Sequence, residues 1–379
     1  MRTIPECGFI QLPVICVSVC SDCVFRGGFF LFRFTEYGKI QMYVLESNNA
    51  SGDSRERNGL LFMKGWEFTG THQPLKIVEK PDPKAKPGYV VLKTLAGGLC
   101  HSDVSALDIE SWMGSFKVPV IMGHEVCGRI VEIGEGVEGY EIGDIVAVCP
   151  LYAKDGTTPG YTRDGGYGTM TTAPVEQLVK VPAGLPPYKA AAATDAGATS
   201  YHAVCTVGGI KPGMKVGIIG VGGLGQFAVR IAVVKGCEVY VATRKESAQK
   251  LALSLGAKEV KPSITDFADK NLDVIIDFAG AGKTTADALN TVKQYGKVVL
   301  VGMATDTATI YTYSMIFKEL KFEGSQGSTT KDLQECIELL ASGELDPEIH
   351  ICKFEEIGEG IEKLRRGEVS GRLVCVYED

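Results

Sequence analysis

The chain has 379 residues, 39 basic and 46 acidic, for a formal charge of −7 with histidine neutral. An apolar fraction of 45% against 22% charged residues excludes a wholly disordered or fibrous chain, and the mild acidity gives no electrostatic reason to bind nucleic acid or an anionic membrane. Twelve cysteines, eight of them scattered, read as buried thiols or single ligands in a reducing, cytoplasmic setting, because a disulfide framework belongs to short secreted domains.

Residues 1–62 differ from the rest. The apolar stretch from Phe9 to Cys20 is broken by Gln11 and Pro13, and no window reaches the ~18 apolar residues of a membrane-spanning helix. Residues 47–59 form a polar, linker-like run. Cys16, Cys20 and Cys23 lack a second ligand pair nearby and are expected to be plain thiols. The functional chain is expected to start at Met63, with 1–62 a non-native or poorly ordered extension.

From Met63 to about Ala173, short β-branched runs punctuated by Gly and Pro predict strands over Pro74–Glu79, Tyr89–Leu95, Glu125–Ile133 and Ile145–Val148. From about Lys215 strand and helix alternate. Strands are predicted over Val216–Ile219, Glu238–Ala242, Asp273–Asp277 and Lys297–Val301, with helices over Gly223–Lys235, Glu246–Leu255 and Lys283–Lys293. That alternation implies a parallel sheet covered on both faces. Two helix-like runs follow, Lys331–Ala341 and Glu355–Arg365, then a strand at Arg372–Val376.

Gly220-Val221-Gly222-Gly223-Leu224-Gly225 matches G-x-G-x-x-G between a predicted strand and an apolar helix. Gly220 permits the tight turn, Gly222 lets backbone approach a pyrophosphate, and Gly225 lets helix and strand pack closely, while the helix N-terminus offers N–H donors. The next strand ends in Thr243-Arg244-Lys245, with no acid for the ribose hydroxyls of NAD. A hydroxyl and two cations suit a 2′-phosphate, so NADP(H) is expected in preference to NAD(H), which stays possible. A one-residue shift of the turn would offer Glu246 to a ribose; alternatively, Arg244 and Lys245 are solvated charges.

Cys100, His124 and Asp195 offer a thiolate, an imidazole and a carboxylate, and three such ligands plus an open position make a catalytic zinc site. Singly, each has a plainer reading: Cys100 a buried thiol, His124 a core histidine, Asp195 a helix N-cap. Trp112, Met113 and Phe116 are either pocket wall or core.

Taken together, Gly98-Leu99-Cys100-His101-Ser102-Asp103, Gly123-His124-Glu125, Asp195-Ala196-Gly197-Ala198-Thr199 and the glycine turn resemble the zinc-dependent medium-chain alcohol dehydrogenases. The resemblance covers nearly all of 63–379. It implies an α/β chain in which a GroES-like, β-rich catalytic domain (63–197 and 325–379) carries an inserted Rossmann domain, a doubly wound parallel sheet (198–324). It makes Cys100, His124 and Asp195 the ligands of a single catalytic Zn²⁺, with Glu125 beside it as an alternate or neighbouring carboxylate. Ser102 would meet the substrate oxygen and Asp103 would orient the His124 imidazole. Thr199 would pack on the nicotinamide, and His101 and Arg372 would face the cofactor pyrophosphate. Gly220, Gly222, Gly223, Leu224, Gly225, Thr243, Arg244, Lys245 and Val301 complete the cofactor set.

The chain departs from that family in two places. No cysteine lies between Pro150 and Gly168, so the structural zinc of many relatives is expected to be absent. Ser105 stands where the proton relay of relatives often ends in histidine, which leaves the ribose and water, or His101, as the outlet. The implied reaction is hydride transfer between the nicotinamide and a small alcohol or its aldehyde or ketone. Relatives are dimers or tetramers, commonly through the last strand of the nucleotide domain, expected here around Ala308–Tyr313. The alternatives are a zinc-free quinone or enoyl reductase and a non-catalytic dinucleotide-binding protein.

Overall fold

The computed structural model describes the backbone of residues 29–34, 40–45, 56–57 and 60–378, and side chains from Leu61 to Glu378. The expectations for the N-terminal cysteines and for the linker-like run fall almost entirely outside the described residues. Met1–Ser54 form a unit of their own, in which Phe29–Phe34 and Ile40–Leu45 pair antiparallel, Phe29 opposite Leu45.

The second unit runs from Arg55 to the end of the chain. Its first described long strand, Leu60–Phe68, crosses the boundary expected at Met63. Lys64 and Gly65 interrupt its apolar pattern, which hides it from a periodicity reading. It pairs with Lys76–Pro81, a strand expected two residues earlier, and with Val120–Ile121. A seven-stranded sheet follows in the order Leu178–Lys180, Ile145–Val148, Glu125–Ile133, Tyr89–Leu99, Arg372–Val376 and Ile349–Cys352, with Met170–Pro174 also pairing on Tyr89–Leu99. The last strand of the chain thus completes a sheet begun near residue 89, setting Leu373 opposite Leu99 and Val374 opposite Gly98.

The second large sheet is parallel: Glu259–Lys261, Glu238–Ala242, Lys215–Ile219, Val274–Asp277, Lys297–Leu300 and Lys321–Gly324. In chain order this is 3-2-1-4-5-6, the Rossmann order. The crevice beyond strands 1 and 4 is where dinucleotides bind. Val216, Ile218, Val241, Ile275, Ile276, Val298 and Val299 are fully buried, as a sheet covered on both faces requires. The last strand of this sheet is Lys321–Gly324. Residues 308–311 precede the helix Thr312–Lys318, so the strand expected around Ala308–Tyr313 is not there.

An alanine-rich passage joins the two sheets without a break. Pro187–Ala192 is α-helical, Ala193–Gly197 a π turn, Ala198–Tyr201 α-helical and His202–Val207 a second π turn. Ala190, Ala191, Ala192, Ala193, Ala196 and Ala198 are wholly buried, so their small side chains let neighbouring elements close in. Asp195 therefore lies inside a helical run and caps no helix N-terminus.

Asp332 fastens this passage to the helix Thr330–Ala341. Its buried carboxylate accepts hydrogen bonds from Thr206 Oγ1 (2.6 Å) and Thr329 Oγ1 (2.6 Å) and lies 2.8 Å from His202 Nδ1. Burial pushes the Asp332 carboxyl up, but its hydrogen bonds outweigh burial and hold it below the ordinary value. A depressed carboxylate stabilises the fold above its unfolded pKa and loses that contribution as pH falls through the folded one. Asp332→Ala is expected to cost about 3 kcal/mol in urea unfolding near pH 7, and the difference from wild type should shrink below about pH 4. A difference under about 0.5 kcal/mol at pH 7 would refute the role.

Candidate active site

The phosphate-binding turn forms where strand Lys215–Ile219 ends. Gly220 has φ +87°, open to glycine at little cost, and a Cβ on Gly225 would lie 2.0 Å from the Gly220 carbonyl oxygen. The space around Gly222 is open. Helix Gly225–Val234 starts directly after Leu224, so its first amides face the turn. Leu224 accepts a hydrogen bond from Ser200 Oγ at 2.8 Å, and Val301 follows strand Lys297–Leu300, its amide bonded to the Asp277 carbonyl.

Strand Glu238–Ala242 ends just before Thr243. Arg244 is exposed, and Lys245 Nζ donates to the Gly367 carbonyl at 3.0 Å. Glu246 is the first residue of helix Glu246–Ser254 and pairs with Lys250 at 2.7 Å.

The metal-type ligands converge. Ligand atoms of Cys100, His124, Glu125 and Asp195 all lie within 4.8 Å of one another. Cys100 ends the first approach: it follows strand Tyr89–Leu99 and precedes helix His101–Asp108. Glu125 begins strand Glu125–Ile133, His124 immediately precedes it, and Asp195 sits in the first π turn. Cys100 Sγ is 3.4 Å from Asp195 Oδ2, and His124 Nε2 is 3.5 Å from the same oxygen. A tetrahedral zinc with bonds of about 2.0–2.3 Å has ligand–ligand edges of about 3.3–3.8 Å, so these separations and this donor set fit Zn²⁺. Cys100, His124 and Glu125 are buried, which leaves little competition from water.

The surroundings fix these groups. Asp103 Oδ1 lies 3.5 Å from His124 Nδ1, while its Oδ2 accepts from Tyr167 Oη (2.6 Å) and the Cys100 amide (2.9 Å). Thr199 Oγ1 donates to Asp195 Oδ1 at 3.0 Å. Arg372, nearly wholly buried, pairs with Glu125 Oε1, donates from Nε to Glu125 Oε2 at 3.2 Å and reaches Asp195 Oδ2 at 3.4 Å. Its Nη1 would lie 2.9 Å from a Cβ on Gly223, so the same guanidinium touches the phosphate turn.

Burial would hold the His124 imidazole down, but Tyr161 and the Asp103 and Asp195 carboxylates outweigh it and push the imidazole well above its ordinary value. Burial works the other way on Asp195, where the hydrogen bond and charge of His124 win and hold the carboxyl low. A divalent ion bound here would itself become the dominant local charge. Partial burial and the Arg372 charge keep the His101 imidazole below its ordinary value.

Residues 86–183 match the family described as alcohol dehydrogenase GroES-like domain, and residues 223–342 match zinc-binding dehydrogenase. An alcohol dehydrogenase of Geobacillus stearothermophilus is 32% identical over 328 residues, spanning 80% of this chain and 96% of that protein. This chain belongs to the zinc-type alcohol dehydrogenases. Among solved structures, acetophenone reductase from Geotrichum candidum in complex with NAD is 34% identical, covering 83% of this chain and 97% of that one, with a TM-score of 0.76. The alcohol dehydrogenase of the archaeon Aeropyrum pernix is 29% identical, with coverages of 83% and 100% and a TM-score of 0.77.

As a zinc-type alcohol dehydrogenase, the protein is a zinc-dependent oxidoreductase that moves a hydride between a nicotinamide cofactor and a small alcohol or carbonyl compound. Neither the zinc-free reductase nor the non-catalytic reading is favoured. No helix among the described residues is long and apolar enough to cross a membrane.

Tyr161 stands in this dehydrogenase's site without having been expected there. Its ring centroid is 5.6 Å from that of His124, it stacks on Phe116 at 4.5 Å, and Phe68 packs on Phe116 at 4.9 Å. Burial pushes the Tyr161 phenol up to about 12, against the opposing charge of His124 and a hydrogen bond with Ser102. Phe116 is thus part of the wall beside the ligands. Ser105 Oγ donates to the His101 carbonyl at 3.2 Å, within its own helix.

Proposed function

We propose that this alcohol dehydrogenase holds one catalytic Zn²⁺ on Cys100, His124 and Asp195, with Glu125 adjoining, and oxidises or forms small alcohols with NADP(H) in preference to NAD(H). The observation that carries the metal assignment is the convergence of the four donor groups within 4.8 Å. Bound there, Zn²⁺ would supply Lewis-acid chemistry at the substrate oxygen, and a nicotinamide cofactor in the crevice would supply the hydride chemistry.

The remaining work falls to side chains of this chain. Ser102 Oγ takes the alcohol proton, or returns it to a carbonyl, with the Tyr161 phenol as its hydrogen-bond neighbour. Since Ser105 is engaged by its own helix, Ser102 and His101 are the groups that pass the proton outward. Asp103 holds the imidazole of His124 in one orientation, and Thr199 does the same for the Asp195 carboxylate. The rings of Phe68, Phe116 and Tyr161 exclude water from that side of the ligands.

Cys100→Ser and His124→Ala are each expected to abolish bound zinc and lower kcat/KM by roughly a thousandfold or more, with cofactor affinity by fluorescence titration little changed. A zinc-free variant that keeps its activity would overturn the assignment. With no cysteine between Pro150 and Gly168, the same metal analysis of wild type should find one zinc per chain.

The NADP(H) preference rests on Thr243, Arg244 and Lys245 at the ribose end of the crevice and on Glu246 being paired with Lys250 in its own helix. The NAD found in the acetophenone reductase complex is the competing choice. Arg244→Ala is expected to raise KM for NADP(H) by about tenfold and leave KM for NAD(H) within about twofold. A wild-type enzyme with the higher kcat/KM for NAD(H) would refute the preference.

We further propose a homodimer, alone or within a homotetramer, through the helix Thr312–Lys318. Tyr311, Tyr313, Ile316 and Phe317 are each more than 60% exposed, and the adjacent strand Lys321–Gly324 is paired on one side only. Ile316→Glu with Phe317→Glu should give monomers by sedimentation, whereas a monomeric wild type at micromolar concentration would exclude the interface.

A further inference from the structure

Away from the zinc-type site, two cysteines face each other across a strand pair. Cys352 ends Ile349–Cys352, Cys375 lies in Arg372–Val376, and the two parallel strands set Cys352 directly opposite Cys375. Registered residues on neighbouring strands lie about 4.8 Å apart and project to the same face of the sheet. That spacing is inside the Cα window of about 4.4–6.8 Å that a disulfide accepts. Both are free thiols.

The two sulfurs are not equivalent. The neighbouring Cys375 draws the Cys352 thiol down against its burial, and Cys352 together with burial pushes the Cys375 thiol up. Cys352 lines a solvent-open cavity of about 500 Å³, whereas Cys375 is wholly buried. By contrast, Cys127 and Cys336 are sealed in the core, their thiols raised chiefly by burial. Glu348, Glu356, Glu359 and Glu368 outnumber Lys363 in the cavity lining, even with Arg366 paired to Glu359 and Glu368, which disfavours anionic reagents such as glutathione disulfide. At 9% exposure Cys352 admits only a small reagent, so a neutral hydroperoxide fits best.

We propose that Cys352 and Cys375 form a peroxide-responsive dithiol, with Cys352 attacking and Cys375 resolving. The Cys352 sulfur attacks one oxygen of hydrogen peroxide. An S–O bond forms, the O–O bond breaks and one water leaves, so Cys352 is oxidised to a sulfenic acid and the peroxide is reduced. The Cys375 sulfur then attacks that sulfur. The S–S bond forms, the S–O bond breaks, and the departing oxygen carries the Cys375 proton away in a second water. Two thiols and one peroxide give one disulfide and two waters.

The test treats the zinc-loaded full chain with hydrogen peroxide in the presence of dimedone, then alkylates and maps peptides by mass spectrometry. Wild type should yield a thiol-reducible cross-link between Cys352 and Cys375 and little dimedone adduct. Cys375→Ser should lose the cross-link and raise the dimedone adduct at Cys352 by at least about tenfold, and Cys352→Ser should leave Cys375 unmodified. No cross-link in wild type, or no more adduct at Cys352 in Cys375→Ser than at Cys127, would overturn the proposal. Should Cys375→Ser fail to fold, isotope-coded alkylation of wild type decides: joint loss of the two free thiols supports the pair, and independent loss sinks it.

Discussion

A single guanidinium holds the site together. Arg372 comes from the last strand of the chain, yet it is forked onto Glu125, 247 residues away in sequence, and reaches Asp195, 177 residues away. Three carboxylates, Asp103, Glu125 and Asp195, stand at one buried point, and burying charge without compensation is costly. Against these carboxylates and the Cys100 thiol stands the one charge of Arg372, an excess of acidic groups that a divalent cation would offset. Within the seven-stranded sheet Arg372–Val376 pairs with Tyr89–Leu99, so the compensation exists only once both ends of the unit have closed.

The same contacts join the metal-type ligands to the cofactor crevice. Arg372 touches the phosphate turn at Gly223 while it binds Glu125, and Ser200, five residues after Asp195, donates to Leu224 in that turn. Asp332 anchors the end of the same helical passage through Thr206 and His202. A shift of the phosphate turn is therefore transmitted to Asp195 and Thr199 through a short buried helix. Proximity of the reacting groups depends on this rigidity, because misplacement by about 1 Å costs heavily in rate.

Much of this was legible because motifs and periodicity are local. The glycine turn declares itself by spacing, and four of the six parallel strands follow from alternation of short apolar strands with helices. Cys100, His124 and Asp195 stood out as candidate ligands through the motifs around them, and the fold brings their donor atoms together. What stayed hidden depends on distant pairing or on irregular helix geometry. Asp195 reads as an N-cap in isolation, whereas the π turn Ala193–Gly197 carries the helix through it, with its carboxylate 3.4 Å from Cys100 Sγ. The strand Ile349–Cys352 was not expected from the sequence, and the apposition of Cys352 and Cys375 cannot be seen without the fold. Tyr161 lies in a turn-rich stretch with no periodicity, and nothing local points it at His124.

That turn-rich stretch shows how a lobe without cysteines is kept in place. Asp164 accepts from the Ile121 amide at 2.8 Å and from Lys80 at 3.3 Å. Arg163 donates to the Thr172 carbonyl at 2.9 Å and to Thr157 at 3.0 Å, and burial pushes its guanidinium down to about 10 without removing its charge at neutral pH. Asp155 accepts from Tyr89 at 2.5 Å and from Lys86 at 2.9 Å. These bonds fasten residues 155–164 to strands on both sides, and Tyr161 and Tyr167 are the side chains the lobe delivers to Ser102 and Asp103. Several directional hydrogen bonds together suffice for such positioning, although the half-exposed pairs with Lys80 and Lys86 each contribute little. The geometry of the site thus rests on polar contacts in a loop as much as on the ligands themselves.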